Sequence, residues 1–150
     1  MANNPSSTVI RAWARLAKAQ RLAVDAIELR LKEAGLPPLA WYDALLELER
    51  AGPAGLRPFE LERELLLSQC NLSRLIDRLE KENYVVRSAC EDDGRGQVIA
   101  ITTAGRAIRR RMWAVYGPAI QNAVGAHLSS GQAAALDTAL GTLIAGARQA

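Results

Sequence analysis

Gln69, Asn71, Ser73 and Arg74 gather amide, hydroxyl and guanidinium groups into one short stretch of the chain. These are the side chains that read base edges, Arg pairing bidentately with guanine and Asn or Gln with adenine. Ser68 stands just ahead of them, where a hydroxyl can accept from an orphan N–H at a first helical turn, and a helix start favours anions such as phosphate. The apolar members of the stretch, Leu72, Leu75, Ile76 and Leu79, fall at i, i+3, i+4 and i+7, which predicts a helix over 67–79. That spacing leaves Cys70, Ser73, Arg74 and Asp77 on the opposite side. A helix of this kind standing alone suits an ordinary solvated surface as well as it suits a nucleic-acid contact.

The neighbouring elements narrow the choice. Upstream, Pro58 suits a first helical turn, Phe59, Leu61 and Leu65 are expected to face a core, and Leu66-Leu67 forms the turn of a helix-turn-helix. Downstream, Asn83 can adopt the left-handed conformation that closes a helix, and Tyr84-Val85-Val86-Arg87 is a short β-prone run. Asp92-Asp93-Gly94-Arg95-Gly96 has a turn composition, and Val98, Ile99 and Ile101 supply a second strand. A hairpin after a helix-turn-helix is a wing. A guanidinium at its tip, here Arg95, can enter a minor groove and exploit its negative potential.

With these pieces in order the sequence resembles the MarR family of bacterial transcriptional regulators, over about residues 39–105. The resemblance rests on the Ser73-Arg74-Leu75-Ile76-Asp77-Arg78-Leu79-Glu80 core, on Tyr84-Val85-Val86-Arg87, on the Asp93-Gly94-Arg95-Gly96 tip and on Ile101-Thr102-Thr103-Ala104-Gly105. It implies a mainly α fold with a small β-hairpin wing, and a homodimer that binds pseudo-palindromic double-stranded DNA. It also implies that Asp93 braces the wing by an ion pair, for which Arg78 is the candidate partner. Two positions depart from the family pattern: Gly94, where another basic residue is common, and Glu62, where Ala is common. In the family, small aromatic or phenolic acids bind where the first, second and fifth helices meet the DNA-binding lobe. Trp13, Trp41, Tyr42, Trp113 and Tyr116 lie on those helices and are the candidate ligand-binding residues, although aromatics at helical spacing also serve as core and dimer packing. The resemblance makes the protein a repressor released by such an acid. A winged-helix protein-interaction module is the alternative, as is a redox sensor using Cys70, which lies near a helix start where a thiol is acidified.

Composition agrees with a folded intracellular chain. The 150 residues are 49% hydrophobic and 23% charged with a formal net charge of +3, permissive for nucleic acid without pointing to it. Cys70 and Cys90 form no CxxC pair and His127 is the one histidine, so no metal ligand set is expected. No phosphate loop, nucleophile–base pair or cofactor motif is present, and catalysis is not expected. The start of the chain lacks the apolar core of a secretory signal, and no apolar run approaches the ~18 residues that span a bilayer; a cytoplasmic protein without membrane contact is expected.

The two ends carry more amphipathic helix than one small core can cover. Thr8 is the candidate cap of a long helix through Trp13, Leu16, Val24 and Leu31 that stops at Gly35 and Pro37-Pro38. After the wing, Thr102 or Thr103 caps a helix carrying Ile108, Met112, Val115 and Ala119, in which Pro118 is expected to produce a bend or a break. Ser129 or Ser130 caps a last helix through Leu136, Leu140, Leu143 and Ile144. The expected organisation is residues 1–38 and 106–150 as dimerisation helices around a winged helix-turn-helix lobe at 39–105, an intramolecular bundle being the other way to cover the stripes.

Overall fold

The computed structural model describes residues 3–66, 71–89 and 96–149, so Ser68, Gln69, Cys70, Cys90, Asp93, Gly94 and Arg95 lie outside the described residues. The elements follow as α1 (Ser7–Glu33), α2 (Leu39–Ala51), α3 (Pro58–Glu64), α4 (Leu72–Lys81), β1 (Val85–Ala89), β2 (Gln97–Ile101), α5 (Thr103–Ala123) and α6 (Ser130–Arg148). The chain divides into two compact units, residues 28–116 and residues 1–27 with 117–150. Among the described residues no helix is long and apolar enough to cross a membrane.

In the unit 28–116 the core is made where the apolar stripes of short helices meet the hairpin. Leu31, Leu45, Leu48, Leu61, Leu79, Val85, Ile99 and Met112 are completely buried, each stabilising the fold by roughly 1.5–3 kcal/mol of transfer free energy. β1 and β2 pair antiparallel, with Val85 opposite Ile101 and Ala89 opposite Gln97. The chain leaving α2 adds a further rung, since Leu56 N donates to Ile99 O at 2.9 Å and Ile99 N to Leu56 O at 2.8 Å. Gly55 makes that approach possible: its φ is +69°, and a Cβ there would come within 2.3 Å of Ile99 O. Gly105 does the same for α5, where a Cβ would lie 2.2 Å from Tyr84 O.

Several local expectations hold and others are corrected. Asn83 has φ +61°, and the bonds Tyr84 N to Leu79 O and Asn83 N to Glu80 O close α4 in a Schellman motif. Thr102 rather than Thr103 caps α5, its hydroxyl accepting from Gly105 N at 3.0 Å and donating to Asn83 O at 2.6 Å. Ser129 caps α6 through Gln132 N at 3.1 Å, with Gln132 Oε1 reaching back to Ser129 N at 3.0 Å. By contrast α1 begins at Ser7, two residues earlier than the Thr8 cap implies, with Ser6 Oγ accepting from Val9 N at 3.2 Å. Pro118 does not end its helix, which runs on to Ala123. Phe59, expected in the core, is 59% exposed, since Leu61 takes the inward position of this short helix.

In the unit formed by residues 1–27 and 117–150, few side chains are covered. Ile27 and Ala119 are buried, while Val9, Ile10, Trp13 and Leu22 on α1 and Leu136, Leu143 and Ile144 on α6 are exposed. α6 has no buried residue.

Candidate nucleic-acid interface

α4 divides its residues sharply. Leu75, Ile76 and Leu79 are buried in the core, and Ser73, Arg74, Asp77, Arg78 and Glu80 are exposed. The helix starts at Leu72, later than the Ser68 cap implies, because Asn71 is itself the N-cap: its Oδ1 accepts from Arg74 N at 3.1 Å. Asn is as good a cap as Ser. The consequence for the expected base readers is specific. Asn71 has committed its amide oxygen, while Ser73 and Arg74 stand in the first turn with exposed side chains that have no partner among the described residues.

The expected pair of Arg78 with Asp93 involves a residue outside the described ones; among the described residues Arg78 has no acidic partner. There, Arg87 of β1 links the hairpin to α4: it pairs with Asp77, lies 3.3 Å from Glu80 Oε1 through Nε, and donates from Nη1 to Gln97 Oε1 on β2 at 3.2 Å. Composition hid this residue. Strand alternation could have found it, because Arg87 shares the face of buried Val85, where a charge needs a carboxylate.

The aromatic candidates fall into separate groups. Tyr42, Trp113 and Tyr116 form a cluster, with ring centroids 4.8 Å apart for Tyr42–Tyr116, 5.7 Å for Trp113–Tyr116 and 6.1 Å for Tyr42–Trp113. Arg109 completes it, donating to the Tyr42 hydroxyl at 3.4 Å and forming an ion pair with Glu49. Trp41 packs edge-on against Tyr84 instead, at 6.2 Å. Trp13 is exposed on α1.

Beside the cluster lies a group that sequence reading passed over. Asp43 is 4% exposed, and its Oδ2 is buried without a hydrogen-bond partner. Burial, with Glu47 and then Glu28 adding their negative charge, raises its carboxyl from 3.8 to about 7. Burial likewise pushes the Tyr116 hydroxyl up to about 12, with Asp43 and Tyr42 contributing. Glu28 is already engaged, accepting from Leu39 N at 2.8 Å at the start of α2. The signal was available: Leu39, Tyr42, Asp43 and Leu46 share the i, i+3, i+4, i+7 stripe of α2, so the periodicity itself turns Asp43 inward. Among the described residues no group of His, Cys, Asp and Glu is arranged to hold a metal ion.

Comparison with known proteins gives this geometry a context. Residues 34–96 match the model of the MarR family. An HTH-type transcriptional regulator of Bacillus cereus is 35% identical over 72 residues, 48% of this chain and 46% of the relative, so the chain spans about half the length of the curated relatives it matches. Among solved structures, Sco3205 of Streptomyces coelicolor, a MarR family transcriptional regulator in complex with DNA, superposes with a TM-score of 0.81 at 26% identity, over 97% of this chain and 91% of that one. A variant of Escherichia coli MarR complexed with operator DNA shares the fold, with a TM-score of 0.76 at 22% identity over 94% and 99% of the two chains.

Proposed function

We propose that the chain is a winged helix-turn-helix transcriptional regulator of the MarR family, whose model its residues 34–96 match, and that two copies of it bind a pseudo-palindromic duplex as a repressor. The observation that carries this reading is α4. Its apolar side is buried while Ser73, Arg74 and Arg78 are exposed, without acidic partners among the described residues, in a chain whose hairpin tip sequence holds Arg95. An α-helix of this kind fits a major groove, and a wing fits the groove or backbone alongside. Gln69 and Ser68 extend the same surface by sequence. Sco3205, the similar protein whose structure was determined with DNA, supports the assignment.

Dimerisation is supported by the uncovered apolar residues of the unit 1–27 with 117–150: Val9, Ile10 and Trp13 on α1, and Leu143 and Ile144 on α6. Such surfaces mark contacts between chains. Two copies related by a two-fold axis present two recognition helices, so the operator has matching half-sites. The effector we assign is a small aromatic or phenolic acid, received at Tyr42, Trp113 and Tyr116 with Arg109 as the cation near its carboxylate.

In vitro selection from random duplexes followed by a salt titration tests the DNA assignment. Enrichment of a palindromic sequence whose affinity falls steeply with salt is the expected result, because phosphate contacts release counterions. A protein-interaction module would enrich no sequence even at low salt, and that outcome overturns the proposal.

A further inference from the structure

Arg87 is the one side chain among the described residues seen to touch both α4 and the wing through charge. From β1 it meets Asp77 and Glu80 on α4 and Gln97 on β2, so three elements converge on a single planar fork. The cross-strand geometry explains the reach: Arg87 is opposite Ile99, and Gln97 is the diagonal neighbour on the same face. The guanidinium is pre-organised for several acceptors at once, which a lysine ammonium cannot match.

The two acids matter because of where they lie. Arg74, Asp77, Arg78 and Lys81 follow one another at helical spacing on the exposed side of α4, so the Asp77 carboxylate sits among the cations that face the duplex. Left alone, it would pair with Arg74 or Lys81, three residues before and four after it, or repel a phosphate. We propose that Arg87 is the positioning residue of the DNA-binding surface: it holds the wing at a fixed setting against the recognition helix, and by occupying Asp77 it leaves Arg74 and Lys81 available to the backbone of the duplex. The inference rests on the DNA-binding reading above. It assigns Arg87 no contact with DNA. Asp77 is 67% exposed and the Arg87 side chain 25%, so the pair adds little to folding stability, and its effect falls on arrangement and charge.

The test uses the full-length protein and a labelled duplex enriched by in vitro selection with the unsubstituted chain; if nothing is enriched, the DNA reading fails before this one is reached. Affinity is then measured across a salt series for Arg87→Gln, Asp77→Asn and the double variant, with melting temperatures alongside. Arg87→Gln is expected to weaken binding roughly tenfold, as coupled charge sites do, with the salt slope and melting temperature nearly unchanged. Adding Asp77→Asn is expected to restore part of the loss, because the carboxylate that Arg87 had masked is gone. Arg87→Lys, which keeps the charge and folds most readily, is expected to fall between the two with the same slope. Unchanged affinity in Arg87→Gln overturns the proposal. So does a loss that Asp77→Asn fails to rescue and that lowers the salt slope by about one, the signature of a direct phosphate contact.

Discussion

Replacing Asp43 by Asn should remove a pH dependence that this chain carries in its core. The carboxyl is raised from 3.8 to about 7 by burial, then by Glu47 and Glu28, and among the described residues Oδ2 has no hydrogen-bond partner. A folded-state value above the unfolded one means that the unfolded chain gives up its proton first. Between about pH 4 and pH 7 the native state therefore binds more protons than the unfolded state, and stability falls as pH rises. Above about pH 7 both states are ionised and the loss is complete. Moving a carboxyl from 3.8 to about 7 corresponds to about 4 kcal/mol at roughly 1.4 kcal/mol for each tenfold change in proton affinity, a large part of the ~5–15 kcal/mol that a domain possesses. The assay is urea unfolding at a series of pH values for the unsubstituted and Asp43→Asn chains at matched protein concentration. All other titrating groups are common to both, so the difference between the curves isolates this carboxyl. Asn brings its own buried N–H groups and shifts the whole curve by a constant, whereas the slope is the diagnostic. The expected difference grows in favour of Asp43→Asn from about pH 4 to about pH 7 and is flat beyond. Parallel curves across that window would refute the reasoning and mean that Asp43 has a counter-charge or a solvent path in solution.

Other outcomes follow from the surfaces described. Arg74→Ala should weaken operator binding by about 1–3 kcal/mol and, if it reads a base, relax specificity at one position of each half-site, as a binding-site selection with the variant would reveal. Arg95→Ala should weaken binding without altering dimerisation or melting temperature, measured by fluorescence anisotropy and light scattering at matched salt. Leu143→Asp on α6 should shift the protein from dimer to monomer in analytical ultracentrifugation, since a charge is placed on an apolar contact surface. On the proposed effector reading, Trp113→Ala should abolish release from DNA by a small aromatic or phenolic acid, read as loss of the inhibition curve while operator affinity in its absence is kept.

The elements were legible in the sequence because their signals are local. The α4 stripe, the left-handed Asn83, the Thr102 cap and the hairpin around Gly96 each come from a few adjacent residues, and each is present in the structure. Cap positions were less secure, since Ser6 and Thr8, or Ser68 and Asn71, are similar acceptors only two or three residues apart. Phe59 was misread because a seven-residue helix has room for few inward positions, and Leu61 fills the one that is wholly buried. Arg87, Asp43 and Arg109 were not legible from composition at all. Periodicity marks Arg87 and Asp43 as turned inward, but it does not name what they meet: the ion-pair partners of Arg87 and Arg109, Asp77 and Glu49, come from other elements, and pairing at long sequence separation leaves no local trace.

The rung between Leu56 and Ile99 gives α2 a mechanical role. At one end of this helix Tyr42 stacks on Trp113 and meets Tyr116 edge-on; past the other, two backbone bonds join Leu56 to Ile99 in the second strand of the hairpin. The segment linking them is a short 3-10 turn over Gly52–Ala54 that offers little slack. A displacement of α2 at its Tyr42 end therefore has only residues 52–55 in which to dissipate before it meets the backbone bonds between Leu56 and Ile99.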